Sequence, residues 1–323
     1  MLAGHDLDKG ATVNGHRTRL LFATLFAVAC ATPLPVGAQD VTSIVVGPGP
    51  GGIDVAEGSV WVAWGKNGVA RIDARTNVVT AQIEVGRDPV GVVIAHGAVW
   101  VANRVDGTVS RIDPSTNAVT ATIDTGSRPL VLAAGAGAVW VTLQGSGEVA
   151  RIDPRSNLVV AKIRIGRDAA GIAESGGFIW ASDFRSNRIV QIDPEKNEVV
   201  GSVDCSLGTS VIAASGGVLW VTNQRSGSVS RVDPKLRKVI AEIPVGDETG
   251  GVIATQDAVW VARKTTGTVV KIDPSTNQVV GDPIRVGTRP GPLAVGEGAV
   301  WVGNSFGKDV SRIAIRARAE RSQ

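Results

Sequence analysis

Seven tryptophans, Trp61, Trp100, Trp140, Trp180, Trp220, Trp260 and Trp301, stand about forty residues apart along the chain. A period of roughly that length accommodates four short strands and their turns, which is one blade of a β-propeller. A unit so small cannot bury its apolar faces alone, so each blade must stack on its neighbours and the stack must close. The expectation is an all-β fold: a seven-bladed β-propeller with four antiparallel strands per blade. Length alone, 323 residues, would suggest about two domains of roughly 150 residues each. The repeat overrides that prior, because a closed ring behaves as one domain.

The second repeat, residues 87–126, parses into strands Val90–Ala95, Ala98–Asn103, Thr108–Asp113 and Ala118–Asp124, called A to D. Strand B is apolar on both faces, as a doubly covered strand must be. Strand D alternates, with Val119, Ala121 and Ile123 opposed to Thr120, Thr122 and Asp124, as suits an outer edge that must not pair with another molecule. An Asp-Pro pair follows strand C at 113, 153, 193, 233 and 273, with Asp73-Ala74 as a near copy. Pro presets the first turn position and Asp accepts from the backbone beyond it, so these carboxylates read as turn formers. Two residues earlier stands a base, Arg71, Arg111, Arg151, Arg231, Lys271 or Arg312, with Gln191 the exception. Its stem is expected between blades and its head in a local pair.

The last Trp repeat lacks a fourth strand. Residues 41–47, VTSIVVG, resemble the D strands 79–86 and 119–126, so the N-terminal segment is expected to complete blade seven. Ahead of it, Arg17 and Arg19, an apolar run from Leu20 to Ala31 and the small residues Val36 to Ala38 have the order of a secretory signal peptide. The run is short for a membrane span, which needs roughly twenty residues. The expected organisation is a signal peptide at 1–38, the propeller at 39–315 and a C-terminal tail at 316–323, with the mature protein periplasmic or secreted. A minority reading takes Ala27 to Cys30 as a lipobox that anchors the chain at Cys30. Cleavage after Ala38 removes Lys9, Arg17 and Arg19 with Asp6 and Asp8, which lowers the net charge from +3 to +2. That charge is too small to argue for a nucleic-acid partner. It also leaves Cys205 alone, expected as a small, partly buried residue rather than a nucleophile.

Trp220-Val221-Thr222-Asn223, with Trp100-Val101-Ala102-Asn103 and Trp301-Val302-Gly303-Asn304, resembles the Y-V-T-N signature of the YVTN-type propeller repeat, and the resemblance covers residues 41–315. The chain also resembles the virginiamycin B lyase family, whose repeats carry Trp at this place. That second resemblance implies a lyase using His and Glu with a magnesium ion. Here the expected mature chain holds His96 alone, so no His pair is available.

In a four-stranded blade the D-to-A connection and the B-to-C hairpin lie at one end, and the other two turns lie opposite. The Asp-Pro turns and His96 therefore share a lower face, and the irregular loops form an upper face. Three aromatics outside the ladder, Trp64, Phe184 and Phe306, fall in upper hairpins beside charged residues, a composition suited to recognition. The expected ligand-binding residues are Trp64, Arg104, Arg128, Asp183, Phe184, Arg185, Asn223, Arg263 and Phe306. No catalytic residue and no cofactor is expected, although Asp168, Asp183, Asp247 and Glu248 offer the oxygen donors a divalent cation prefers. The expected partner is a small molecule, glycan or protein, bound by a monomer. The alternative is a metal-assisted lyase or hydrolase working at the channel mouth.

Overall fold

The computed structural model describes residues 40–246 and 248–315. The expected signal peptide, Cys30, Asp247 and the tail lie outside the described residues. Twenty-eight described strands form seven four-stranded antiparallel sheets. Blades 1 to 6 begin at Ile53, Pro89, Pro129, Ala169, Thr209 and Thr249, and blade 7 begins at Pro290. In blade 2 the strands are Pro89–Ala95, Ala98–Asn103, Thr108–Asp113 and Ala118–Asp124, within a residue of the sequence reading. Each strand A touches strand A of the next blade, so the A strands surround the axis.

The ladder tryptophans are core residues, between 0 and 2% exposed. Each reaches towards the following blade: Trp100 packs with Val139, Val141 and Ile152 of blade 3, and Trp140 with Ile172, Ile179 and Ile192 of blade 4. The indole N–H groups of Trp100 and Trp140 donate to the carbonyls of Ala95 and Gly135 at 3.0 Å, which spares a buried donor from going unpaired.

The basic residue of strand C sits over this ring, as Arg111 over Trp100 at 5.2 Å and Arg151 over Trp140 at 5.3 Å. Its head reaches past its own blade, although Arg71 Nε also donates locally, to Ser59 Oγ at 3.1 Å. Arg111 Nη1 donates to the Pro154 carbonyl at 3.0 Å and to Asn157 Oδ1 at 2.9 Å, both in the turn of the next blade. Arg71, Arg151 and Arg231 make the same pair of bonds to Pro114 and Asn117, Pro194 and Asn197, and Pro274 and Asn277. The Asp-Pro turn is therefore a receptor as well as a turn, and the arginine is a latch between blades.

Gln191 breaks the latch series, and its partner position breaks too. Where other turns carry Asn, the next blade carries Arg237, whose Nε donates to Gln191 Oε1 at 2.7 Å. Donor and acceptor have changed places. Gly201, directly opposite Gln191 on strand D, holds the position that Ala121 and Ala161 fill elsewhere, and a methyl there would lie 2.8 Å from Arg237 Nε.

Strand D departs from simple alternation. A register shift between Arg111 and Ile112 leaves Thr120 bulged, with Ala121 opposite Arg111 and Val119 opposite Ile112. Ile123 is buried while Val119 is 38% exposed. The bulge twists the rim, a common protection for a free edge.

The seam closes as the sequence implies. Val41–Val45 pairs antiparallel with Asp309–Ala314, Ile44 opposite Val310, and Ile44 and Val46 are buried with Trp301. Beyond that strand, Gly47 at φ +142° lies against the face of the Trp64 ring, where no side chain could fit.

Candidate functional site

On the upper face each hairpin is tied to the connection entering its own blade. The N–H groups of Arg104, Gln144, Phe184, Gln224, Lys264 and Ser305 donate to the carbonyls of Asp88, Arg128, Asp168, Gly208, Glu248 and Arg289. Two residues per blade are thus fixed side by side, and their side chains decide what the face can bind.

The position three beyond each ladder Trp turns inward rather than toward a ligand. Asn223 is fully buried, its Nδ2 donating to Ser230 Oγ at 2.8 Å and Ser228 Oγ at 3.2 Å. Asn304 is also buried and accepts from the Gly287 N–H at 3.0 Å. Asp183, with no exposed area, accepts from the N–H groups of Arg167 and Asp168 at 3.3 Å and lies 3.8 Å from Arg188 Nε. Trp64 is half-buried, wedged against Gly47 and Gly68 at the seam and packed on the core of blades 7 and 1. Trp64, Asp183 and Asn223, expected among the binding residues, therefore serve the hairpins and the seam. Arg263 is partly buried at the same position of blade 6.

The exposed positions divide into two sectors. Over blades 2 and 4 the charges pair within the blade, as Arg104 Nε with Asp88 Oδ2 at 2.7 Å and Arg185 Nε with Asp168 Oδ2 at 3.4 Å. Arg128 is exposed at φ +55°. Over blades 5 to 7 the charges converge across blades instead. Glu248 Oε1 accepts from Gln224 Nε2 at 2.5 Å, Lys264 Nζ at 3.2 Å and Arg289 Nη2 at 3.3 Å. Burial pushes the Glu248 carboxyl up, but the bonds from Gln224 and Lys264 and the charges of Lys264 and Arg289 outweigh it, holding the pKa below the ordinary value. Burial lowers the Lys264 pKa, opposed by Glu248.

Two arginine–phenylalanine stacks flank this carboxylate. Arg225 lies over Phe184 at 5.0 Å and Arg289 over Phe306 at 4.9 Å. Phe184, Gln224, Arg225 and Glu248 line one open cleft of about 490 Å³, and Phe306 is 73% exposed. Phe184 and Phe306 end one run of contacts, Phe184 under Arg225 in the cleft with Glu248, and Phe306 under Arg289, which donates to Glu248. Of the residues around this carboxylate the sequence singles out Glu248 alone, as an oxygen donor, and Gln224, Arg225, Lys264 and Arg289 join it only in the fold. Their common ring position, one or two residues into hairpin or connection, was the available signal.

Magnesium with a His and Glu pair does not fit this donor set. His96, the only histidine among the described residues, lines a lower-face pocket with Arg111 and Arg155. Glu248 is taken up by three donors, and no group of three His, Cys, Asp or Glu side chains close enough to hold a metal occurs among the described residues. Cys205 is half-buried and free, and burial, with the Glu242 charge beside it, pushes its thiol up to about 12.

The profile of the Virginiamycin B lyase family matches residues 83–322. No curated protein sequence matches the chain. Among solved structures, a streptogramin B lyase superposes with a TM-score of 0.76 at 13% identity, over 86% of this chain and 98% of that one. Selenomethionine-substituted virginiamycin B lyase from Staphylococcus aureus gives 0.74 at 15% identity, over 86% and 100%. Hydrazine synthase from Kuenenia stuttgartiensis gives 0.72 at 15% identity, over 84% and 97%. At such identities the likeness establishes the fold alone.

Proposed function

The chain belongs to the virginiamycin B lyase family, and on that footing we propose that it is an exported, non-catalytic binding protein. Its ligand is an anion with an apolar, planar part, taken on the upper-face arc of blades 4 to 7. The observation that carries this reading is Arg225: it rests on Phe184 at the cleft with no carboxylate partner among the described residues, whereas Arg104 and Arg185 each have one. A stacked guanidinium keeps its forked donors free for a carboxylate or phosphate, and the ring beside it offers a face to the rest of the ligand. Lys264 and Arg289 add positive charge around the Glu248 carboxylate. Export rests on the basic, apolar and small-residue order of residues 17–38.

Native mass spectrometry of the protein from its own source tests the reading. A retained organic anion is expected, lost in Arg225→Gln and Phe184→Ala variants whose circular dichroism matches the parent. A bare mass for the parent chain, or retention in both variants, would count against it.

Family membership favours a second reading, a lyase acting on a streptogramin B antibiotic. A general base near neutral pH should have a raised carboxyl pKa, and Glu248 is shifted the other way. Virginiamycin B incubated with the protein and magnesium should therefore stay intact by liquid chromatography. Turnover above the buffer rate would replace the binding reading with the lyase.

A further inference from the structure

The repeat supplies an internal control for a second site, on the rim between blades 1 and 2. In blade 5, Asn223 Nδ2 donates to the hydroxyls of Ser228 and Ser230, and those hydroxyls pass their own protons to Glu242, Ser230 to Oε2 at 2.6 Å and Ser228 to Oε1. In blade 7, Asn304 Nδ2 donates to Ser311 Oγ and to the carboxylate of Asp309, both at 3.0 Å. A carboxylate thus meets the buried amide of this amide and hydroxyl cradle in both blades, from strand D in blade 5 and from strand C in blade 7, where Asp309 also accepts from Ser43 Oγ at 2.8 Å.

Blade 2 repeats the cradle without the carboxylate. Asn103 Nδ2 donates to Thr108 Oγ1 at 3.0 Å and to Ser110 Oγ at 2.9 Å. Each hydroxyl thereby has one lone pair engaged and its proton left over, and neither proton has an acceptor among the described residues. Thr122 stands opposite Ser110 where Glu242 stands opposite Ser230. It is too short to fill the space, and a pocket of about 510 Å³ opens there.

The same pocket is lined by Glu84 and Asp106. Arg87 occupies both oxygens of Asp106, whereas Glu84, among the described residues, accepts only from the neutral amide of Asn67, at 2.7 Å. A simple anion would meet Glu84 unfavourably. A ligand carrying its own cation would not.

We propose that this rim pocket binds a small zwitterion of the α-amino-acid class, its carboxylate on the Thr108 and Ser110 hydroxyls in the role Glu242 plays in blade 5 and its ammonium at Glu84. The site lies on the rim and is independent of the upper-face arc.

Isothermal titration of the full chain with L-alanine tests it, with acetate and methylammonium as probes bearing one charge each. Alanine should bind at least tenfold more tightly than either. Thr122→Glu, which places the blade 5 carboxylate in blade 2, should lower alanine affinity at least tenfold with unchanged circular dichroism. Ser110→Ala should do the same should the glutamate variant fail to fold, and Glu84→Gln should abolish the preference for alanine over acetate. Equal affinity for acetate and alanine, no heat with alanine, or full alanine binding in the folded Thr122→Glu or Ser110→Ala protein would overturn the proposal.

Discussion

The pair Gln191 and Arg237 shows how much a single residue can reveal once a repeat provides its reference. Six blades place a cation on strand C, and four of those cations donate to an Asn and a Pro carbonyl one blade on, while this pair runs the bond backwards. Gln191→Arg alone should therefore set two guanidinium groups against each other and destabilise the ring by about 1 kcal/mol, the scale of a lost partly buried bond with like-charge repulsion. Adding Arg237→Asn should recover most of it, since contacting positions are not additive. Thermal unfolding of the two singles and the double decides: an additive result would mean that the residues do not interact. The exception at 191 was legible in the sequence; its compensation was not, because position 237 becomes its partner only when one knows that the latch crosses to the next blade. The same limit explains Asp183 and Trp64. Both break the repeat, and a break in pattern marks a different environment without saying whether that environment is solvent or core.

At the scale of the element, the Asp-Pro turn couples local structure to pH. Asp73, Asp113, Asp153, Asp193 and Asp273 all have carboxyl pKa values below the ordinary 3.8, because the residues two and three further on donate to the ionised oxygen. A carboxyl lower in the folded than in the unfolded chain contributes stability that is present above the unfolded value and lost as pH falls through the folded one. The melting temperature should thus be flat from pH 7 to about 5 with respect to these groups and fall below about pH 4. Combining Asp113→Asn, Asp153→Asn and Asp273→Asn should flatten that acid limb, and an unchanged slope would assign acid lability elsewhere. The turns were legible from Asp and Pro alone, since their chemistry is local. The rim bulge at Thr120 was not, because a register shift depends on which strand lies opposite.

The whole molecule depends on one non-local pairing, between the first described strand and the last. Strand count and the likeness of residues 41–47 to other rim strands made that closure legible, since a ring with three strands in one blade and a spare strand at the other end has one economical solution. What the sequence withheld was how the seam is sealed behind the strand. Pro48 accepts the Gly65 N–H at 2.7 Å, Val46 and Gly47 donate to the Lys308 carbonyl at 2.9 and 3.1 Å, and Trp64 covers Gly47. Removal of residues 41–47 should therefore do more than cost one strand: it bares the edge of Asp309–Ala314, exposes the core around Ile44 and strips one side of Trp64. An exposed edge of this kind pairs with whatever strand is available. The truncated chain should melt well below the parent and self-associate in size-exclusion chromatography. A synthetic peptide of residues 40–47 added in trans should restore the monomer and part of the melting temperature, with Trp64 fluorescence reporting its return to the seam. A truncated chain as stable and monodisperse as the parent, indifferent to the peptide, would mean that the seven blades hold their ring by face-to-face packing alone, with the terminal strand as ornament.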